Sequence, residues 1–502
     1  MGQKITLFEQ ILGVEYPGMK LNRIRGGVVA SALLAAHAGN VRSETIPPPV
    51  TQPGFAGLIG VAREDITPPV GIFSRSWGAA KHDVAEAIHR PFTATVLSIQ
   101  ARKEDPPLLL AALDLGWWRT KEDEEFVRLP LVRELARDSS RVIVNLSHTH
   151  AGPSICREDR EKPGGHLVDA YLTKVRDALL SAARKAVAGA VPATLEWRYG
   201  CCDLATNRDL PDPHRERIVT GYNPSRPADD TLLVGRVTDT AGKFLATIVN
   251  YACHPTIVAW DCKVLSPDYV GAMRSVVELA TEAAPCLFLQ GNSGELAPRD
   301  TYANDPEVAD RNGNILGYSA LSTLAAMLPP RTRLEYAGVV ESGAPLGIWK
   351  RVPDIRSTVL EVLQVDVDYK LKPLPSSVEI ERQISTEQDR VRKERLLRNA
   401  RVRRIVGEGA TASVPLWAWR VGDAIILAQP NEAYSDLQQA LRQTHPGRPV
   451  VSTNLSNGSI GYLCPMERHA LDIYQVWQSP FESGTLECLI ESAKAATLRL
   501  LR

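Results

Sequence analysis

Two histidines stand two residues apart in the run Ser147-His148-Thr149-His150-Ala151-Gly152-Pro153. On extended backbone, side chains at that spacing point to the same face. The pair can therefore chelate one metal ion, or place one imidazole on a metal and the other beside a substrate. The Gly-Pro that follows turns the chain away and leaves the site open. His254, in Cys253-His254-Pro255-Thr256, supplies a further imidazole or packs against backbone. Glu432, in Gln429-Pro430-Asn431-Glu432, offers a carboxylate for a remaining ligand position. Neutral imidazole suits zinc, and catalytic zinc sites use a few protein ligands and keep a position for water. The chemistry within reach of such a set is metal-assisted hydrolysis.

These groups all follow apolar runs of strand length. Val142–Leu146 leads into His148 and His150, residues 247–252 into His254, and residues 287–289 into Gln290-Gly291-Asn292-Ser293-Gly294-Glu295. Ala424–Ala428 leads into Glu432, and Val450–Thr453 into a loop ending in Gly461-Tyr462. In open α/β sheets, ligands bind beyond the carboxyl ends of strands, so these polar residues are expected at one site mouth. Further apolar runs lie at 94–99 and Leu108–Leu113. Amphipathic stretches of helical period occupy 168–187, 269–284 and 312–327. The pattern is α/β, a large single domain of mixed sheets with helices from about Gly57 onward. Residues 376–404 are highly charged with sparse apolar positions. They read as a solvated helical excursion, either a plain exposed helix or a lid or subsidiary layer. No G-x-S-x-G elbow is present, and Asn292-Ser293-Gly294 is the nearest serine loop, which disfavours a serine hydrolase.

The 502 residues carry 58 basic and 58 acidic side chains, a formal net charge of zero. A nucleic-acid binder ordinarily shows a basic excess, so nucleic acid is not an expected partner, nor would bulk charge hold the chain on anionic lipid. With 44% hydrophobic and 23% charged residues, the composition is that of a globular chain and not of a disordered one. No apolar run reaches 18 residues, so no transmembrane anchor is expected. Cys156, Cys201, Cys202, Cys253, Cys262, Cys286, Cys464 and Cys488 are scattered without a C-x-x-C pair, which argues against a zinc ribbon.

Near the N-terminus, a basic cluster at residues 20–25 precedes the apolar stretch GGVVASALLAA and the small-x-small site Ala36-His37-Ala38. This is the order of a secretory signal peptide; a short buried helix is the alternative. Met19 directly precedes the basic cluster and reads as the true start. The expected organisation is a signal peptide over 1–38, a proline-containing linker over 39–56 and one catalytic domain over 57–502. The mature protein would be secreted or periplasmic, where disulfides are permitted.

Taken together, the motifs resemble those of the neutral ceramidase family, zinc-dependent amidohydrolases of the neutral/alkaline, non-lysosomal type. The resemblance runs from about Gly57 to the C-terminus. Gly60-Val61-Ala62-Arg63-Glu64-Asp65-Ile66-Thr67-Pro68-Pro69 looks like the family's opening strand, and Ala87-Ile88-His89-Arg90 like its G-I-H segment. The 147–153 run is close to its T-H-T-H-S-G-P signature. Asn207-Arg208, followed by Asp230, looks like its N-R pair and later aspartate, and His254-Pro255-Thr256 is similar to its H-P/S-T. Glu432 sits where the family has a ligating glutamate, and Tyr462 and Tyr474 resemble its paired tyrosines. The resemblance implies that His148, His254, Glu432 and Tyr462 ligate Zn2+. His150 would lie beside the metal as acid/base or transition-state donor. Arg208 and Tyr474 would bind the substrate carbonyl or polar head. It also implies hydrolysis of an amide in a small-molecule N-acyl or lipid-like substrate. An esterase or lactonase on the same metal, or a metal-dependent binding protein, are the alternatives. The chain departs from the pattern where the family's G-D-V-S-P-N becomes Gly294-Glu295-Leu296-Ala297-Pro298-Arg299. No hydroxyl stands at Ala297, and Ser293 reads as a loop residue. The family's immunoglobulin-like C-terminal domain has no counterpart after the tyrosine region, so the expected fold is the family's N-terminal catalytic domain alone.

Overall fold

The structure, a computed structural model, describes residues 47–214 and 217–502. The expected signal peptide and residues 39–46 of the expected linker lie outside the described residues. Two compact units are distinguished; among the described residues, one comprises 47–49 with Glu335–Lys350 and the other Val50–Leu334 with Arg351–Arg502. In the smaller unit, Tyr336 and Trp349 pack edge-on with ring centroids 5.8 Å apart.

The larger unit holds two mixed sheets. The first contains β1 (Gly54–Asp65), β2 (Thr93–Gln100), β3 (Leu108–Leu113), β4 (Val142–Leu146), β5 (Val191–Cys201), β6 (Thr231–Asp239), β7 (Phe244–Tyr251) and β8 (Cys286–Gln290). Their spatial order is β8-β7-β6-β5-β1-β2-β3-β4. The inner pairings are antiparallel, while the outer pairs β3–β4 and β7–β8 are parallel, with Leu113 opposite Leu146 and Tyr251 opposite Gln290. The second sheet contains β9 (Leu360–Lys370), β10 (Thr411–Val421), β11 (Ala424–Ala428) and β12 (Val450–Thr453) in that order. Its outer pair β11–β12 is again parallel. Every strand expected to deliver a functional residue belongs to one of these three parallel pairs.

The strands were readable as continuous apolar runs because they are buried on both faces. Along β3, Leu108, Leu110 and Ala112 face the core between the two sheets, whereas Leu109, Ala111 and Leu113 face helices. That alternation is the two-residue period of a strand. The inter-sheet core includes Phe55, Trp197, Trp419, Ile426 and Val451. Helices α1 (Lys121–Leu131) and α2 (Val168–Ala188) cover the outer face of the β1–β4 half. The helices α3 (Tyr269–Ala280) and α4 (Pro306–Ala325) cover the other half. The second sheet's outer face is closed by α7 (Asp436–Thr444) and α8 (Thr485–Arg499). The result is a layered α/β/β/α unit.

Three boundaries differ from expectation. β1 begins at Gly54, so residues 54–56 of the expected linker are strand, because Phe55 is fully buried in the inter-sheet core. α3 stops at Ala280, and Glu282 and Ala283 take positive φ ahead of Pro285, which disfavours helix in the preceding residue. α4 starts six residues early, at Pro306, where the Asp305 side chain accepts from Glu307 N and proline occupies the first turn. The charged stretch forms two helices, α5 (Ser377–Thr386) and α6 (Arg390–Val406). Part of α6 is not free in solvent. Arg401 pairs with Glu158 at 2.8 Å and Asp159 at 3.0 Å, Glu394 pairs with Arg75, and Arg398 donates to Gln478 Oε1 at 2.7 Å. Among the described residues, no helix is long and apolar enough to cross a membrane.

Candidate metal centre

The ends of the three parallel pairs are knitted together by buried amides. Asn145 at the end of β4 accepts from Gln290 N at 2.8 Å and donates to Asn454 O at 2.6 Å, joining β4 to β8 and to the loop after β12. Asn454 Oδ1 accepts from Asn292 Nδ2 and from Gln429 Nε2, both at 2.6 Å, and its Nδ2 donates to Ala433 O at 3.1 Å. Asn457 exchanges side-chain bonds with Val144 N and Val142 O, each at 2.8 Å. Leu455 and Asn457 take positive φ, which lets this loop lie along the edge of β4. A network of this kind is stable only when its polar atoms find partners.

On this frame the three histidines meet. His148 is itself at φ 70, in left-handed conformation, so the pair does not converge through the extended backbone that its spacing suggests. A local turn brings the rings together instead, with His150 Nε2 3.4 Å from His148 Nε2. His148 Nδ1 donates to Gly116 O at 3.3 Å, and His254 Nδ1 donates to Ser293 O at 2.7 Å. Carbonyl oxygens only accept, so both Nδ1 atoms carry a proton and both rings turn Nε2 inward. Each Nε2 lies 3.1 Å from the same oxygen, Glu432 Oε2. Burial alone pushes the Glu432 carboxyl up, but His148 and His254 outweigh it and hold the pKa well below the ordinary carboxylate range. Burial, then Arg208, presses the His254 imidazole down to about 3. Burial, then His148 and His254, holds His150 well below its ordinary value. Two imidazole Nε2 atoms and one carboxylate oxygen thus converge on one point, a donor set that suits a cation. Donor atoms of His148, His150 and His254 lie within 4.8 Å of one another. The residues fit a metal ion.

The remaining expected residues arrive at the same place. Tyr462 is delivered by the pairing of Glu432–Ala433 with Tyr462–Leu463, which sets Glu432 directly opposite Tyr462. Its ring stacks on His254 and its hydroxyl lies 3.4 Å from His254 Nε2. Arg208 is buried and braced, its Nη2 donating to Gly294 O at 2.7 Å, to Tyr462 Oη at 3.2 Å and to His254 Nε2 at 3.2 Å. Tyr474 is partly exposed, its ring centroid 5.8 Å from that of Tyr462. Ala297 lies in the short strand Leu296–Pro298, opposite Thr206, whose Oγ1 donates to Ala297 O. Ser293 serves as scaffold: its carbonyl holds His254, and its hydroxyl accepts from Gln290 Nε2 at 2.7 Å.

An aromatic wall escaped the sequence reading. Trp77 and Trp117 pack on His150 at centroid distances of 4.9 and 5.0 Å, and Trp260 and Tyr302 pack on Trp77 at 5.7 and 5.6 Å. All four are partly exposed. They come from separate loops and share no motif. Trp117 alone had a signal, since Gly116-Trp117 follows β3 as the histidines follow β4.

No family profile matches the chain, and no curated protein matches it in sequence. Among solved structures, neutral ceramidase from Pseudomonas aeruginosa superposes with a TM-score of 0.63 at 16% identity, covering 90% of this chain and 75% of that one. A ceramidase complexed with C2 gives 0.61 at 16% identity, covering 89% and 76%. Identity at this level speaks to architecture alone, and the architecture agrees with the motif resemblance: this mixed α/β chain has the fold of neutral ceramidase.

Proposed function

We propose that this protein is a zinc-dependent hydrolase that cleaves the amide bond of an N-acyl substrate, ceramide-like or smaller. The observation that carries the reading is the pair of inward-facing Nε2 atoms of His148 and His254 on one ionised oxygen of Glu432. In this reading His148, His254, Glu432 and Tyr462 hold the metal. Zinc, when bound, supplies Lewis acidity and a water acidified to roughly pKa 7. His150, kept neutral by burial, is able to accept a proton and return it to the leaving amine, which cannot depart as an anion. Arg208 and Tyr474 direct donors toward the substrate oxygen as charge develops there, one such donor being worth about 3 kcal/mol. The ceramidase names of the solved neighbours support an amide of this class. Ala297 removes any hydroxyl role at that position and favours a smaller or different N-acyl compound. A second ligand set, His148, His150 and His254, is favoured by the mutual proximity of their donor atoms. Export to the periplasm or medium completes the reading.

Metal analysis of the purified protein, followed by a panel of N-acyl amides varied in chain and head group, tests it. One zinc per chain, with amide hydrolysis lost on chelation and restored by zinc, is the expected result. Turnover of esters or lactones alone would move the assignment to an esterase. Zinc without turnover of any acyl compound would leave a binding protein, and a chain that takes up no metal would overturn the reading. Mass spectrometry of the mature chain checks export, with an N-terminus near Gly39 expected and one near Met1 opposing it.

A further inference from the structure

The loop carrying His148 and His150 follows β4 at one edge of the first sheet, and the loop carrying His254 follows β7 next to the other edge. Something must set their separation. We propose that Asp268 is a positioning residue for the metal centre, and that the turn Ser266-Pro267-Asp268-Tyr269 is the clamp that spaces the two histidine loops. The proposal rests on the metal reading above and extends it to residues that touch none of the imidazoles.

Most polar groups of this turn reach one loop or the other or brace the turn itself, and Ser266 Oγ also meets His89 Nδ1 at 2.9 Å. Ser266 N donates to Ala151 O at 3.0 Å, and Thr149 Oγ1 donates to Ser266 O at 2.6 Å, so Ser266 grips the two residues that flank His150. Asp268 Oδ2 accepts from Ile257 N at 3.0 Å and Val258 N at 2.9 Å, just beyond His254-Pro255-Thr256. Tyr269 Oη donates to Cys253 O at 2.6 Å, just before His254. The turn is tied internally by Asp268 N donating to Ser266 Oγ at 2.9 Å and by Tyr269 N donating to Asp268 Oδ1 at 2.7 Å.

Two features of Asp268 oppose stability and point to a role. It is fully buried, and no ion pair with it exists among the described residues. Its backbone sits at φ 55, ψ −146, a region sparsely populated by residues with a side chain. Such strain is costly and gathers at functional sites. Asparagine would cap α3 and tolerate positive φ equally well. It has one acceptor oxygen, however, whereas three N–H groups converge on both oxygens here. Whichever way the amide turned, its NH2 would meet an N–H. Only a carboxylate satisfies the cap of α3 and the 257–258 loop together.

The test uses cobalt(II) added to the metal-free full chain as a spectroscopic probe. Asp268→Asn is isosteric and removes one acceptor; Tyr269→Phe removes one hydroxyl from the other side of His254. Tyr171→Phe, which deletes a buried hydroxyl of α2 that donates to Ile66 O, is the control for general destabilisation. Asp268→Asn is expected to weaken cobalt binding about 10- to 100-fold, the usual effect of losing groups that orient ligands. It is also expected to shift the visible cobalt bands and to lower kcat with KM nearly unchanged. Tyr269→Phe should do the same to a smaller extent, and Tyr171→Phe should keep the wild-type spectrum. Wild-type bands and affinity in both clamp variants would overturn the proposal, whatever happens to their melting temperatures. If Asp268→Asn does not fold, Tyr269→Phe decides by the same readouts. A wild-type chain that binds no cobalt would overturn the metal reading itself, and the clamp with it.

Discussion

His150 differs from its neighbours through its surroundings. It sits against two indoles with a buried Nδ1 that has no hydrogen-bond partner among the described residues, whereas His148 and His254 have Nδ1 committed to carbonyls and Nε2 turned onto Glu432. His148→Ala and His254→Ala are therefore expected to lose zinc and turnover together. His150→Ala should keep zinc and lose about 10²- to 10⁴-fold in rate, the usual range for a proton donor. Metal content after dialysis separates the two ligand sets, since loss of zinc from the His150 variant would make His150 a ligand. Glu295 provides a second prediction. Its carboxyl is buried, and the loss of solvent pushes it up to about 8 against the pull of the Ser435 hydroxyl. The folded state therefore keeps a proton that the unfolded chain releases near its ordinary value, so this residue's contribution to stability falls as pH rises from about 4.5 to 8. Glu295→Gln should remove that slope, seen as a smaller drop in urea midpoint between pH 5 and 8 than wild type shows.

Among the elements, those buried on both faces were legible, and those whose place depends on a partner were not. β3, β4, β11 and β12 match their apolar runs closely because both faces demand apolar side chains. The start of α4 was missed because Glu307, Asp310 and Arg311 interrupt the apolar period there and the start is set by the Asp305 cap. The charged helices looked solvated because charge density alone does not reveal a partner. In the fold, Arg401 meets Glu158 and Asp159, and Asp159 also pairs with Arg119 beside Trp117. Arg401→Met is expected to speed proteolytic cutting within residues 376–406 while changing global unfolding by less than about 1 kcal/mol, as for partly exposed ion pairs. At the strand ends the stakes are higher. Asn454→Ala strands the buried donors of Asn292 and Gln429 and is expected to cost about 3 kcal/mol in urea unfolding, since each orphaned group forfeits about 1–3 kcal/mol.

For the whole molecule, the buried neutral imidazole and the ionised carboxylate pull in the same direction with pH. His254 titrates near 3 when folded and near 6.5 when unfolded, and Glu432 is also depressed on folding. In both cases the unfolded chain binds more protons, so the stability of the metal-free protein falls as pH drops below about 6.5. Protons also compete with metal for the same lone pairs. Zinc at 100 times its dissociation constant should stabilise the fold by about 2.7 kcal/mol near neutrality. That gain should fade toward pH 4, and thermal melts with zinc and with chelator across this range measure both effects. The α/β class, the strand-end placement of the histidines, Glu432 and Tyr462, and the absence of a serine elbow are legible in the residues alone, because strand periodicity and residue chemistry are local properties of the chain. The packed fold alone reveals that His148 bends into left-handed backbone, that Arg208 braces His254 and Tyr462, that Trp77 and Trp117 wall His150, and that the turn 266–269 bonds loops from separate strands. Those arrangements join residues up to several hundred positions apart. Their geometry is set by which buried polar atoms find partners once the two sheets pack, and no local pattern encodes that.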